Sequence, residues 1–277
     1  MRVFDTPPPS AKPFSKSLLQ RLQVIFLPLS VVLSVAVWAI IGKISGLPAF
    51  ILPSPGQVWQ RFLISLQDGS LLNHAGYTLL EVILGLAIGT VLAAVTGYLL
   101  SRSPLVEALV GPYLIASQAI PIAAVAPLLI IWFGTGISTK ILICALVVFF
   151  PVLVNTALGL RSVPEDMRTL MTTMRATPAQ TLRHLEIPAA MPVFLGGLRV
   201  GATLSVIGAV VGELVGSDRG LGFLINVGRG QYDTALVFVA LFALITMAIA
   251  LYGAVILLEK RLLRWQTRPA DIFNEVQ

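Results

Sequence analysis

Charged residues are scarce in this 277-residue chain. Asp, Glu, Lys and Arg make up 12% of the residues, whereas hydrophobic residues make up 56%. Ordinary soluble domains contain about 25% charged residues. So few polar side chains cannot cover the surface of a water-soluble globule of this length, and we therefore expect the solvent of this chain to be lipid.

Cysteine and histidine are also nearly absent. The one cysteine, Cys144, lies in an apolar run, which excludes a disulfide framework. The two histidines, His74 and His184, are too far apart in the sequence to indicate a metal site. We therefore predict neither disulfide chemistry nor a bound metal.

Motifs that carry catalysis are absent too. No G-x-x-x-x-G-K-[ST] phosphate loop occurs, and the run GTGISTK at 134–140 lacks the required spacing. No spacing brings together paired carboxylates, a Ser/His/Asp set or a Cys/His set. We therefore predict that the chain has no catalytic residue, no ATPase site and no cofactor of its own.

Long apolar stretches, separated by segments rich in Pro, Gly or charge, predict an all-α polytopic membrane protein. The first stretch is longer than the apolar region of a signal peptide, which has about 7–15 residues, and no clear cleavage site follows it. We therefore interpret it as a span. Six spanning helices are predicted, at 24–42, 77–100, 113–133, 140–160, 192–216 and 235–258.

Basic residues flank these spans unequally. Thirteen Lys and Arg residues lie in the segments predicted for one side, and five lie on the other side: Lys43, Arg61, Lys140, Arg219 and Arg229. The positive-inside rule therefore puts both termini in the cytoplasm. The domain prediction is a disordered cytoplasmic tail at 1–23, a six-helix domain at 24–260 and a cytoplasmic tail at 261–277. Charges spread in this way do not indicate nucleic-acid binding.

Small residues recur along the fifth predicted span. One row contains Gly197, Gly201, Ser205 and Ala209, and a second row contains Gly208, Gly212 and Gly216. Such rows predict close helix packing, with a sliding or dimer interface as the alternative.

Polar residues and prolines in the apolar stretches mark candidate positions on a transport pathway. Pro121 and Pro127 should kink the third span, which makes Ser117, Gln118 and Pro121 candidates for pore lining. Asn155 in the fourth span either lines the pathway or bonds a neighbouring helix. Two carboxylates, Glu81 and Glu213, are predicted near the outer membrane edge, where hydration lowers their cost. Glu213 is a candidate gate, and structural pairing with Arg219 or Arg229 is the alternative.

The loop at 161–191 is predicted to form two short cytoplasmic helices. Ser162 and Glu165 match a capping box, and an apolar stripe follows at Met167, Leu170, Met171 and Met174. Thr177 and Gln180 match a second box, with Pro178 at the first helical position. The second helix is expected to end before Pro188. These helices either serve only to return the chain to the membrane or form the kind of surface that a soluble partner needs.

These motifs resemble a known family. The runs WFGTGISTK, FFPVLVNTALGLRSVP, RATPAQTLRHLEIPAAMP, GGLRVG and ELVGSDRGLGFLI are similar to those of permease subunits of bacterial ATP-binding-cassette importers. The resemblance covers residues 52–265 and is strongest to the branch that transports sulfonates, taurine, nitrate and thiamine or flavin precursors.

The resemblance implies a coupling loop at 161–191 that docks onto a cytoplasmic ATPase subunit, which binds the ATP and Mg. It also implies an external solute-binding protein, a second permease copy, most simply identical, and a bacterial inner-membrane location. Thr169, Leu170 and Met171 replace the family's usual Glu-Ala-Ala, and Arg175 replaces its usual Gly. The docking residues implied are Ala176, Thr177, Pro178, Ala179, Gln180, Thr181, Leu182, Arg183 and His184.

Other classes of membrane protein remain as alternatives. A self-sufficient secondary transporter or channel is the main one, although the sequence shows neither the internal repeats nor the midplane ionisable residues that are usual in such transporters. A membrane-bound enzyme would need a cluster of histidines or acidic residues. The sequence leaves open which solute is transported.

Overall fold

The structure, a computed structural model, describes residues 16–265, and its regular elements within that range are all helices. One π-helical turn, Leu182–Glu186, joins α8 directly to α9. The helices are α1 (Lys16–Ile44), α2 (Pro55–Gln67), α3 (Ser70–Arg102), α4 (Pro104–Gln118), α5 (Ile122–Phe133), α6 (Ile137–Arg161), α7 (Glu165–Thr173), α8 (Pro178–Thr181), α9 (Ile187–Val215), α10 (Leu221–Gly230) and α11 (Thr234–Leu262).

Within residues 16–265, four helical segments are long and apolar enough to cross a membrane: α3, α6, the continuous segment Pro178–Val215, and α11. The bent pair of α4 and α5 is a fifth if it counts as one span, and Pro28–Ile44 is a shorter apolar helix. The predicted all-α membrane fold is therefore confirmed in class, while the number six stays a prediction. The domain boundaries also stay predictions: α1 begins at Lys16, inside the predicted tail, and residues 1–15 and 266–277 lie outside the described range.

The centre of the molecule is a close packing of α3, α6 and α9. A Cβ added at Gly89 of α3 would lie 2.6 Å from the carbonyl oxygen of Ala145 on α6. A Cβ added at Gly208 of α9 would lie 3.0 Å from the Cα of Cys144. The small-residue rows therefore serve helix packing within one chain, as expected where no water drives helices together.

The third predicted span is broken rather than kinked. Helix α4 ends at Gln118, α5 begins at Ile122, and the two helices are bent by 95°. Pro121 has an extended backbone at the N-cap of α5; it cannot donate a helical hydrogen bond, and its ring disfavours helical geometry at Ile120. Pro127 lies within α5, which continues past it.

Candidate functional site

The segment Ala176–His184, which we call the docking segment, is a capped helix start on the surface. The Thr177 hydroxyl accepts a hydrogen bond from the Gln180 N–H at 3.3 Å, and the Gln180 side chain accepts one from the Thr177 N–H at 2.8 Å. The predicted capping box, with Pro178 in the first turn, is therefore confirmed. Most of its side chains are exposed, namely Thr177, Pro178, Ala179, Gln180, Arg183 and His184.

The helix that begins at Pro178 does not end before Pro188, as the sequence had indicated. It continues through the π turn Leu182–Glu186 into α9. The Ile187 N–H bonds to the Leu182 carbonyl five residues back, so the turn is widened just before the proline. Pro188 lies in the first turn of α9, and the widened turn relieves the clash that a proline ring makes with the turn before it. The docking segment and α9 are therefore one continuous helix.

The capping box predicted at Ser162 is wrong. The Ser162 backbone is helical and its N–H bonds to the Leu158 carbonyl, so Ser162 belongs to the last turn of α6 and cannot adopt the extended N-cap geometry. Its hydroxyl donates to the Gly159 carbonyl at 2.8 Å. Helix α7 instead begins at Glu165 after Pro164.

Residues 16–265 leave most of the apolar stripe at Met167, Leu170, Met171 and Met174 uncovered. Met167, Leu170 and Met174 are 50%, 53% and 71% exposed. An apolar stripe beside the docking segment is therefore open to a partner.

Glu213 lies at the opposite end of α9 and is completely buried, with 0% exposure. Its Oε1 accepts a hydrogen bond from the Thr78 hydroxyl of α3 at 2.7 Å, and its Oε2 accepts one from the Gly222 N–H of α10 at 2.6 Å. Glu81 is 2% exposed and lies beside Glu213, and its Oε2 has no hydrogen-bond partner among the described residues. We call Thr78, Glu81, Glu213 and the Gly222 N–H the Glu213 cluster.

The Glu213 cluster differs from the sequence prediction in two ways. Both carboxyl groups are enclosed by protein rather than hydrated. Among the described residues no arginine pairs with either of them, because Arg219 is half exposed and instead contacts the ring and hydroxyl of Tyr77. The Glu213 carboxylate accepts bonds from a hydroxyl of α3 and a backbone amide of α10, so it links α3, α9 and α10.

A buried cation lies beside this cluster. Lys140 of α6 is 3% exposed, and its Nζ donates to the Ser217 hydroxyl at 2.7 Å. Its charge acts on both Glu81 and Glu213. Lys140 was predicted in an outer segment, and Thr78 was not predicted as a site residue. Lys140 could have been found from its position in the sequence: it is a lone lysine at the start of an apolar run that contains no acidic residue.

The other candidate pathway residues divide into two places. Ser117, Gln118 and Pro121 line one groove of about 480 Å³ between the α4–α5 bend, α6 and Leu204 of α9. Asn155 lies elsewhere: it bonds to its own helix at the Pro151 carbonyl, 2.8 Å away, and packs against Gly197 of α9. The structure therefore brings together three of the five candidate pathway residues, and neither Asn155 nor Glu213 lines that groove.

No group of three or more His, Cys, Asp or Glu side chains within residues 16–265 is arranged to hold a metal ion. The features described are an exposed, capped helix start at one end of the continuous helix Pro178–Val215 and a buried polar cluster at the other.

Comparison with known proteins identifies this arrangement. The family model described as "Binding-protein-dependent transport system inner membrane component" matches residues 85–264. The chain is 43% identical over 240 residues to the riboflavin transport system permease protein RibX of Chloroflexus aurantiacus, covering 87% of this chain and 90% of that protein. It is 38% identical over 232 residues to the formylaminopyrimidine transport permease protein ThiX of Halalkalibacterium halodurans, covering 84% and 92%.

A solved structure shares the fold. The inward-facing MetNI methionine ABC transporter contains a chain that superposes with a TM-score of 0.61 at 19% identity, covering 71% of this chain and 97% of that one. The family model and these two relatives show which family the chain belongs to. The chain belongs to the binding-protein-dependent transport system inner membrane components, and it is a multi-pass membrane subunit of an ABC importer.

Proposed function

We propose that two copies of this chain form the translocation pathway of an ATP-driven importer and that the docking segment binds the cytoplasmic ATPase subunit. One observation carries this proposal: the exposed docking segment and the buried Glu213 cluster are at the two ends of a single helix, Pro178–Val215. At 1.5 Å per residue, the 38 residues of this segment span about 57 Å. A displacement of the docking segment would therefore reach the far end of the membrane domain along one helix, interrupted only by the π turn Leu182–Glu186.

The docking segment is suited to a partner groove. Its capping box fixes the start of the helix, so little conformational entropy is lost when it binds. Met167, Leu170 and Met174 of α7 add exposed, adaptable apolar surface beside it. ATP and Mg would be bound by that ATPase subunit, since this chain contains no phosphate loop.

The pathway would lie at the face that carries the α4–α5 bend. The groove at Ser117, Gln118 and Pro121 opens on this face, and the backbone break at 119–121 leaves peptide groups that need water or protein partners within a membrane. A second copy across this face would enclose the groove. Glu213 would act as a gate, because its hydrogen bonds to Thr78 and Gly222 hold α9 to α3 and α10.

The membrane topology we propose has six spans, with α1 as the first and the bent α4–α5 pair as the third. Both termini would be cytoplasmic, because thirteen Lys and Arg residues would lie inside and five outside. The docking segment would then be in the cytoplasm, where the ATPase subunit is found.

An external binding protein would select the solute. The permeases named for riboflavin and formylaminopyrimidine transport are 43% and 38% identical to this chain, which favours a flat nitrogen heterocycle of the flavin or aminopyrimidine kind. A sulfonate, taurine or nitrate is the other class of solute.

The docking proposal is tested by co-purifying the tagged chain with the ATPase subunit encoded beside it. Ala179→Trp and Arg183→Glu should each reduce recovery of the ATPase subunit at least tenfold, because both positions are exposed in the docking segment. Arg229→Glu, a reversal of an exposed charge on α10, is the matched control and should leave recovery unchanged. Undiminished recovery with both docking variants would place the binding surface elsewhere.

The solute is tested with the complex and its binding protein in lipid vesicles, with riboflavin and taurine as probes. ATP-dependent uptake of riboflavin is the expected result. Uptake of taurine alone would reassign the solute class, and uptake without ATP or an ATPase subunit would contradict the importer proposal.

A further inference from the structure

Glu186 is a buried acid at the point where the docking segment enters the membrane domain. It is the last residue of the π turn, and its side chain is 2% exposed. Its Oε2 accepts a hydrogen bond from Nη2 of Arg102 at 2.6 Å, and its Oε1 lies 3.6 Å from Nη1 of Arg168. One carboxylate therefore contacts two arginines from two other helices.

The two arginines connect different parts of the molecule. Arg102 is in the last turn of α3 and lies over the ring of Tyr98, 4.8 Å from the ring centre, so it is anchored to a membrane helix. Arg168 is on α7, and its Nη2 also donates to the Leu160 carbonyl near the end of α6 at 2.8 Å. The ends of α3, α6 and α9 and the middle of α7 therefore meet at Glu186. We call Glu186, Arg102 and Arg168 the Glu186 joint.

Helix α7 depends on this joint for its position. None of its residues is buried. Among the described residues, its side-chain hydrogen bonds and ion pairs to the membrane helices all come from Arg168. Without Arg168, α7 would be held mainly by its chain connections.

The ion pairs of Glu186 join a buried carboxylate to two partly exposed arginines, Arg102 at 36% and Arg168 at 28% exposure. Apolar side chains of similar volume often replace such pairs with no loss of stability. The charged groups therefore contribute a defined geometry, which apolar groups would not provide. A carboxylate between two guanidinium groups accepts bonds only in fixed directions. At this position it fixes the angle between α7, the π turn and the membrane helices.

We propose that Glu186 is the positioning residue that transmits movement of the docking surface to the membrane helices. This inference rests on the proposed docking function and adds a residue outside the docking segment. When the ATPase subunit moves the docking segment and α7, the Glu186 joint makes them move with α3, α6 and α9 as one body. Without the joint, the ATPase subunit would bind and hydrolyse ATP, but the far end of α9 would not respond.

The experiment uses the complex of the chain with its ATPase subunit in lipid nanodiscs, without any solute. A spin label is attached through Val215→Cys, because Val215 is 43% exposed at the far end of α9. The native Cys144 is fully buried and should not react with the label. The distance between the two labels of the permease pair is measured with and without ATP and vanadate, and ATP hydrolysis is measured on the same samples.

We compare Glu186→Gln with Glu259→Gln. The second variant breaks another ion pair of α9, in which Glu259 lies 3.3 Å from Arg199, but leaves the Glu186 joint intact. In Glu186→Gln the nucleotide-dependent change in label distance should fall at least fivefold, while ATP hydrolysis and recovery of the ATPase subunit stay within twofold. In Glu259→Gln all three should match the unaltered complex.

Arg168→Lys is the second test and decides the matter if Glu186→Gln does not fold. Lysine keeps the charge, but a single ammonium cannot contact both the Leu160 carbonyl and Glu186 as the forked guanidinium does. It should also lose most of the distance change. A full distance change in the folded variants would overturn the inference. The absence of any distance change in an unaltered complex that hydrolyses ATP would also overturn it. Neither result would contradict the proposed function. Failure of the unaltered chain to bind the ATPase subunit would instead overturn the proposed function.

Discussion

The hydroxyl of Thr78 lies 2.7 Å from Oε1 of Glu213, although 135 residues separate the two in the chain. The same hydroxyl oxygen accepts a hydrogen bond from the Leu221 N–H at 2.8 Å. One threonine on α3 therefore satisfies a carboxylate of α9 and a backbone amide of α10. Since all three groups are buried, none of them has water as an alternative partner.

Replacing Thr78 by valine should lower the free energy of unfolding by about 1–3 kcal/mol, because it leaves a buried carboxylate oxygen and a buried amide each short of a partner. Thermal unfolding of the purified chain in detergent measures this. Thr246→Val is the control: its hydroxyl is exposed and bonds only within its own helix, to the Phe242 carbonyl. Its effect should stay within about 0.5 kcal/mol. Equal melting temperatures of the two variants would show that Thr78 is not important for the Glu213 cluster.

Gly220 is the next position that the Glu213 cluster constrains. Its backbone, at φ 102° and ψ 169°, lies in a region that is essentially limited to glycine, and a Cβ would collide with the Glu213 carboxylate. That carboxylate cannot move aside without losing its bonds to Thr78 and Gly222. We expect Gly220→Ala to cost more than about 3 kcal/mol, from the combined strain and lost bonds.

Gly69 provides the comparison for Gly220. It also has a positive φ, 72°, but nothing lies within 4 Å of an added Cβ. Gly69→Ala should therefore cost only about 1–2 kcal/mol, the strain of a left-handed alanine. Thermal unfolding ranks the two variants, and a Gly220→Ala chain as stable as Gly69→Ala would mean that Glu213 has room to move.

The positions of the long helices could be predicted from the sequence because apolar length is a local property. The predicted spans at 77–100 and 140–160 lie within α3 and α6. The break at 119–121 and the continuous helix through Pro188 were not predicted, because each depends on how a proline is accommodated: an extended Pro121 at the N-cap of α5 and a π turn before Pro188. Proline spacing alone does not distinguish these outcomes.

The close packing of α3 on α6 can be tested at a glycine of α3. An added Cβ at Gly89 would lie 2.6 Å from the Ala145 carbonyl oxygen, whereas nothing lies within 4 Å of one at Gly76 in the same helix. Gly89→Ala should therefore destabilise the chain by about 1–3 kcal/mol through overpacking. Gly76→Ala should be neutral or stabilising by up to about 1 kcal/mol, since alanine favours the helix. The opposite order in thermal unfolding would contradict the packing of α3 on α6.

The candidate site was predictable only in part. The capping box at Thr177 could be read from the sequence because all its atoms lie within four residues. The same pattern at Ser162 misled, because the end of α6 already occupied that residue. The Glu213 cluster and the Glu186 joint depend on contacts between residues far apart in the chain, and no local sequence pattern predicts such contacts.

The capping box at Thr177 also determines how well the docking segment is ordered before it binds. Thr177→Ala removes the acceptor of the Gln180 N–H and should destabilise this helix start by about 0.5–2 kcal/mol, whereas Thr177→Ser keeps the acceptor. If the ATPase subunit binds the capped form, the alanine variant should bind it about 2–30-fold more weakly, since about 1.4 kcal/mol corresponds to tenfold. The affinity of the ATPase subunit for the chain is measured by titrating the ATPase subunit onto the immobilised chain. The serine variant should match the unaltered chain, and equal weakening by both substitutions would indicate that the partner contacts the threonine methyl group rather than requiring the cap.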